Sequence, residues 1–252
     1  MTTAQLLLTL RTCKLELNEQ GQRTWVQYAI SRSVKAAKTA MLISDMWDRH
    51  WSDGVNWRTA LLAPQINAVA ELLRAAGVLI VHAPSETMES YRSSPARVRL
   101  LYAHHCKPAI RRSVVEVPLP IDDSDGGSDT AEPVPVNAKV WSRQHALIRI
   151  DDTQDLIAGD EGELIYSALK ERSIDTLLYS GVHANMCLLN RSFGIKQMLA
   201  WGINCVLFED LSDVIYNPAR VPYVNHEEAH KLVIRFIEKF YCPTTLGAEL
   251  DL

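Results

Sequence analysis

The segment LLYSGVHANMCLLNRSFGIKQMLAWG, residues 177–202, decides how this sequence is interpreted. It begins with an apolar run that ends at Gly181, and Cys187 follows where an amphipathic pattern of helical spacing starts. The pattern predicts a buried strand, a short turn and one helix that continues to about residue 202. Free cysteines usually pack as small apolar side chains, so Cys187 alone does not establish a nucleophile.

Composition excludes several classes of function. The chain has 252 residues, of which 47% are hydrophobic and 22% charged, which fits one α/β domain. Its net charge is -4 and its basic residues are scattered, so a nucleic-acid partner is not expected and a small-molecule partner is. No apolar run reaches the ~20 residues of a membrane span. The five cysteines form no C-x-x-C pair and no signal peptide precedes them, which favours the cytoplasm.

Alternating periodicities predict the architecture. Residues 5–31 alternate apolar and polar side chains around NEQG, so residues 1–37 are interpreted as an N-terminal hairpin extension of a domain spanning 38–252. In that domain, strand-like runs alternate with helical patterns, which predicts a three-layer, doubly wound, mostly parallel sheet. The predicted strands are AMLISDM (40–46), VLIVHAP (78–84), KVWSR (139–143), ALIRI (146–150), DTLLYSGV (175–182) and INCVLFEDLS (203–212).

An acidic segment interrupts this alternation. The sequence VPLPIDDSDGGSDTAEPVPVNA, residues 117–138, can bury little apolar surface and predicts an exposed loop insertion at about 113–138. Two interpretations stay open, a lid or oligomer arm and a tolerated insertion.

The predicted sheet suggests where chemistry occurs. Ligands of parallel sheets bind beyond the carboxyl ends of the strands, which is where Asp45, His82 and Cys187 are expected. A helix N-terminus at Cys187 would favour its thiolate, and its free N–H groups could hold an oxyanion. Asp45 could exchange a proton with the thiol, and Lys139 or Arg143 could supply a cation near both.

The residues resemble a known family. The motif LISDMWD, a later basic strand and SGVHANMC together resemble the isochorismatase-like cysteine hydrolases, which include nicotinamidases and N-carbamoylsarcosine, ureidoacrylate and biuret amidohydrolases. The resemblance covers roughly residues 38–215. It implies that Cys187 is the nucleophile, Asp45 the acid/base, and Lys139 or, on spacing equally well, Arg143 the third catalytic residue. It also implies a non-proline cis peptide between Val182 and His183, which would aim backbone amides at the substrate.

The resemblance also narrows the reaction. Members that cleave isochorismate lack this cysteine, so Cys187 implies hydrolysis of a C–N bond in a small amide or ureido substrate through a thioester, by a homo-oligomer. Two alternatives remain: a non-catalytic ligand-binding or scaffold protein, and a metal-assisted amidase. No cofactor is required in the main hypothesis.

Weaker signals concern metal and substrate binding. Asp48, His50 and His82 carry ligand chemistry suited to zinc or iron(II), although Asp48 and His50 could equally bond the loop backbone or line the pocket. Trp47 could form a pocket wall, or it could be a core or subunit contact. The resemblance additionally implies that Val182 and His183 contribute to substrate binding.

Overall fold

The N-terminal extension is an antiparallel hairpin, as predicted. We analysed a computed structural model that describes residues 4–109, 111–133, 135 and 139–250. Strand β1 (Gln5–Leu17) pairs with β2 (Arg23–Lys35) from Gln5↔Lys35 to Leu17↔Arg23. In its first half β1 buries alternate leucines, whereas most of β2 is exposed.

The main sheet is parallel. Its strands are β3 (Thr39–Ser44), β4 (Leu79–Ala83), β5 (Leu156–Ile157), β6 (Thr176–Val182), β7 (Asn204–Asp213) and β8 (Thr244–Thr245). The order across the whole sheet is β2-β1-β8-β7-β6-β3-β4-β5, and only the pairs made by β1 are antiparallel. This confirms the predicted α/β architecture with an added hairpin.

Helices cover both faces. They are α1 (Asp53–Ala75), α2 (Pro95–Leu101), α3 (Gly162–Glu171), α4 (Cys187–Asn190), α5 (Ile195–Ala200) and α6 (His226–Phe240). Because strand side chains alternate, β3 sends Met41 and Ile43 toward α1 and Leu42 toward the face covered by α2 to α6. Helix α6 begins with a capping box between Asn225 and Glu228. None of the helices among the described residues is long and apolar enough to cross a membrane.

Two sequence predictions are wrong. Residues 139–150 form no strand beyond an isolated bridge between Trp47 and Gln144, because backbone groups here bond to side chains such as Asp48 instead of to a neighbouring strand. The predicted single helix from 187 to about 202 is two short helices. Asp160 accepts the amide of Ser192 at 2.9 Å and also its hydroxyl, which holds the chain between α4 and α5 in a non-helical path.

The acidic loop is tied to the domain by its side chains. Asp129 accepts hydrogen bonds from both terminal guanidinium nitrogens of Arg58, at 2.6 and 3.2 Å. Asn185 donates a hydrogen bond to Asp123 at 2.8 Å. Arg220 lies 3.1 Å from Asp122. The described part of this loop therefore packs across the carboxyl edge of the sheet. Residues 134 and 136–138 of the predicted loop insertion lie outside the described part of the chain.

Candidate active site

Asp45 is fixed at the carboxyl edge of the sheet, directly after β3. Its side chain is fully buried, and its backbone lies in the left-handed region with φ 46°. Few non-glycine residues adopt this conformation, which is sustained only where the surroundings enforce it. Here the Asp45 amide donates to Ala83 O at 3.0 Å, and the Ser85 amide donates to Asp45 Oδ1 at 2.8 Å. The carboxylate is thus aimed by the ends of two neighbouring strands.

The backbone at position 181 requires a glycine. Its φ is 102°, and a Cβ at this position would lie 2.1 Å from the backbone oxygen of Ser44. Only glycine lets β6 approach β3 this closely at the point where both strands end. The approach brings the turn after β6, and with it Cys187, to the side of Asp45. The peptide bond between Val182 and His183 in this turn is cis.

The cation at Asp45 is Arg191, which the sequence analysis did not identify. Its Nε donates to Asp45 Oδ2 at 3.1 Å, and the two remaining nitrogens lie 3.4 Å from Asp160 and 3.6 Å from Glu86. Arg191 follows Cys187 by four residues, the spacing that places two side chains on one face of a helical turn. That spacing was the signal in the sequence that could have revealed it.

Lys139 and Arg143 lie elsewhere. Both are exposed, and Lys139 donates its Nζ to the backbone oxygen of Glu86 at 2.6 Å. The backbone of Arg143 bonds with Asp48, which accepts the Arg143 amide and donates its own amide to Arg143 O. Among the described contacts, neither side chain reaches Asp45, and the cation that does so is Arg191.

Burial dominates the electrostatics of the site. It raises the pKa of Asp45, against the opposing effect of the Arg191 charge. It also raises the pKa of the Cys187 thiol, and the charge of Asp45 raises that pKa further. Burial therefore acts against the thiolate expected from the sequence, and α4, with only four residues, offers a short helix dipole to oppose it. Burial and the charge of Asp45 both favour the neutral thiol at Cys187.

Arg191 remains charged in this setting. Partial burial acts to lower its pKa, but the charges of Asp45 and Asp160 help to raise it above the ordinary arginine value. A guanidinium that never loses its proton can stabilise negative charge but cannot relay a proton.

The side chains of the predicted pocket residues are buried. Trp47 donates its Nε1 to Ser85 O at 3.0 Å and stacks on Trp141 with ring centroids 4.1 Å apart. Val182 and His183 are also buried, and burial lowers the pKa of His183 to about 3. None of the three lines the cavity above the thiol.

The predicted metal ligands do not fit a metal site. Both ring nitrogens of His82 are occupied, by Gln144 and Asp155 at 3.0 Å each, and Asp48 accepts the amide and hydroxyl of Ser142. His50 accepts the Ser52 amide with its Nδ1. Among the described residues, no three His, Cys, Asp or Glu side chains converge on a common point suited to a metal. These residues act as hydrogen-bonding groups that hold loops together.

A cavity of about 480 Å³ opens above Cys187. Side chains from the turn after β6, from α4 and from the acidic loop surround it. They are Leu119, Asp123, Asp160, Asn185, Met186, Cys187, Asn190 and Arg191. A small molecule that enters this cavity meets the thiol, so the acidic loop forms part of the site wall.

Comparison with solved structures identifies the fold. A cysteine hydrolase from Pseudomonas syringae pv. phaseolicola 1448A aligns with a TM-score of 0.56 and 15% identity, covering 86% of this chain and 92% of that one. The chain has the isochorismatase-like fold. An isochorismatase from Pseudomonas putida KT2440 aligns with a TM-score of 0.53 and 12% identity, over 86% and 92% of the two chains. No family model matches the sequence, and no curated protein matches it either.

Proposed function

We propose that this protein is a hydrolase that cleaves a C–N bond in a small amide or ureido substrate, with Cys187 as the nucleophile. The observation that carries the proposal is the arrangement of Cys187, Asp45 and Arg191 under an open cavity. Nucleophile, base and charge stabiliser are the components that thiol-dependent acyl transfer requires. The isochorismatase-like fold supports the same class of chemistry by analogy.

The first half of the reaction is acylation. Asp45 accepts the proton of the Cys187 thiol while the sulfur forms a bond to the substrate carbonyl carbon. The tetrahedral oxygen becomes negative, and the amides of His183 and Cys187 can bind it. Within the described chain, neither amide donates to another backbone carbonyl. Asp45 then returns the proton to the leaving nitrogen as the C–N bond breaks, which leaves a thioester.

The second half is hydrolysis of the thioester. Asp45 takes a proton from water, the hydroxyl adds to the thioester carbon, and the C–S bond breaks. The proton returns to sulfur and the carboxylic or carbamic acid leaves. The Arg191 charge lowers the pKa of Asp45 against the effect of burial, which favours the protonated acid.

Cysteine substitutions test this proposal. A panel of small amides and ureido compounds is incubated with the wild-type protein, and released ammonia or amine is measured. Cys187→Ala and Cys187→Ser are expected to abolish release, because each removes the thiol. Cys106→Ser is the matched control, since Cys106 is a partly buried thiol outside the cavity.

Circular dichroism checks that all variants fold alike. A thioester is also expected as an acyl adduct on Cys187 when an activated ester is supplied, and neutral hydroxylamine should release it. Unchanged turnover in Cys187→Ala would exclude the proposed nucleophile. A wild-type protein that neither hydrolyses the panel nor acquires the adduct would instead favour a ligand-binding or scaffold function.

A further inference from the structure

The carboxylate of Asp123 stands in the wall of the thiol cavity without a cation partner. Its Oδ2 accepts one hydrogen bond, from Asn185 Nδ2 at 2.8 Å. Across the described ranges, no lysine, arginine or histidine nitrogen lies within ion-pair distance of it. Its pKa is raised, first by burial and also by the neighbouring charges of Asp122 and Asp125. A partly buried carboxylate in this situation gains from an external cation.

The other charges of the cavity wall do not compensate for Asp123. Arg191 is the cation in the wall, and its guanidinium already contacts Asp45 at 3.1 Å and Asp160 at 3.4 Å. Asp45 and Asp160 thus share one guanidinium, and Asp123 adds a further carboxylate that this guanidinium does not contact. The cavity therefore carries net negative charge, and such clefts concentrate cations.

The acidic loop has its other carboxylates engaged. Asp122 and Asp125 both lie within 4 Å of Arg220, and Asp129 pairs with Arg58. These contacts hold the loop in place. Asp123 differs from them because its charge faces the cavity rather than a cation of the chain.

We infer that the substrate carries a cationic nitrogen, such as an ammonium or guanidinium group, which Asp123 binds while the scissile carbonyl lies at Cys187. Asp123 is then the residue that selects the substrate by charge, and the acidic loop is a specificity element. This inference rests on the proposed function, because it describes the ligand of the same site.

Charged thiol reagents test the inference without knowledge of the substrate. The probes are two methanethiosulfonates, one with a trimethylammonium group and one with a sulfonate group. Each rate of Cys187 labelling is resolved by peptide mass spectrometry and divided by the rate with a small free thiol in solution. The Cys106→Ser background removes the thiol that is partly exposed outside the cavity.

The corrected ratio of cationic to anionic rates is expected to be on the order of tenfold or more. Asp123→Asn should reduce this ratio several-fold, because it removes the charge and keeps an oxygen that accepts from Asn185. Asp122→Asn is the matched control and should leave the ratio close to wild type. Equal thermal unfolding of the two variants would show that the loop is retained.

Three results would overturn the inference: a wild-type ratio near one, an Asp123→Asn ratio equal to wild type, or no labelling of Cys187 by either reagent. These results are separate from the cysteine test of hydrolysis. If Cys187→Ala abolishes hydrolysis while Asp123→Asn leaves the ratio unchanged, the hydrolase proposal stands and the cationic substrate is wrong. If hydrolysis survives Cys187→Ala, the hydrolase proposal fails whatever the ratio.

Discussion

The contact between Arg191 and Asp45 can be measured as a coupling energy without any substrate. Arg191→Met removes the charge and keeps much of the side-chain length, and Asp45→Asn removes the opposite charge in a similar shape. Unfolding in urea at pH 7 gives the free energies for the wild type, both single variants and the double variant. The deviation from additivity isolates the interaction of the two side chains.

The structure sets the expected magnitude. Opposite charges about 4 Å apart attract by about 4 kcal/mol at an effective dielectric constant of about 20. Asp45 is fully buried, but Arg191 keeps 20% of its side chain exposed and also contacts Glu86 and Asp160, which weakens its effect on Asp45. We therefore expect a coupling of about 2 to 3 kcal/mol, within the range observed for contacting residues. The exposed pair Arg92 and Glu89 is the control, and its coupling should stay below about 0.5 kcal/mol.

The pH dependence supplies an independent check of sign. Burial already raises the pKa of Asp45, and loss of Arg191 raises it further. At pH 7 Asp45 is ionised in the unfolded chain. Folding of Arg191→Met must therefore either bury this charge without its partner or bind a proton, and both lower the free energy of unfolding. The penalty should shrink as the pH falls toward about 4 and be absent below it, where the unfolded chain also binds the proton. A coupling energy no larger than that of the control pair, or one that does not change with pH, would refute the electrostatic role of Arg191.

Three further predictions concern the frame around the site. Gly181→Ala should destabilise the protein by about 3 kcal/mol and reduce labelling of Cys187. The control is Gly21→Ala, whose added Cβ meets no atom within 4 Å and which should cost about 1 kcal/mol in the same urea experiment. Arg74→Met should cost about 3 to 5 kcal/mol because it leaves the buried Asp155 without its two guanidinium bonds; a loss below 1 kcal/mol would contradict this. Burial lowers the pKa of His183 to about 3, so the unfolded chain binds the proton first and stability is lost as the pH falls below about 6.5. In His183→Gln this loss should be smaller by about 1 kcal/mol at pH 5.5. An unchanged dependence of stability on pH would exclude this role of His183.

The sequence predicted the positions that depend on strand ends. Asp45 and Cys187 each follow a short, fully buried strand, and the edge rule for parallel sheets predicts that they lie close together. In the structure the two side chains lie near each other, and the charge of Asp45 raises the pKa of the Cys187 thiol. Their catalytic roles remain predictions.

Arg191 was not predicted although it follows Cys187 by four residues, and the break in the helix next to it was not predicted either. The amphipathic spacing of residues 187–202 favours one long helix. A tertiary contact overrides it, since Asp160, from the segment before α3, captures Ser192 and ends α4 after Asn190. For a related reason, residues 139–150 alternate like strands, yet Gln144 forms only one isolated bridge.

The central claim is that Asp45 is the base for the Cys187 thiol, and the most direct test compares the rate of Cys187 alkylation by iodoacetamide in the wild type and in Asp45→Asn. Mass spectrometry resolves the rate at each cysteine, and Cys106 serves as the internal reference. If Asp45 is the base that takes the thiol proton, its loss should slow the reaction by at least tenfold, on the order of the lower range of general-base effects. If Asp45 were only a neighbouring charge, its loss would lower the pKa of Cys187, and alkylation would become faster. A slower rate at Cys187 with an unchanged rate at Cys106 is the result we predict, and an equal or faster rate at Cys187 would contradict the account.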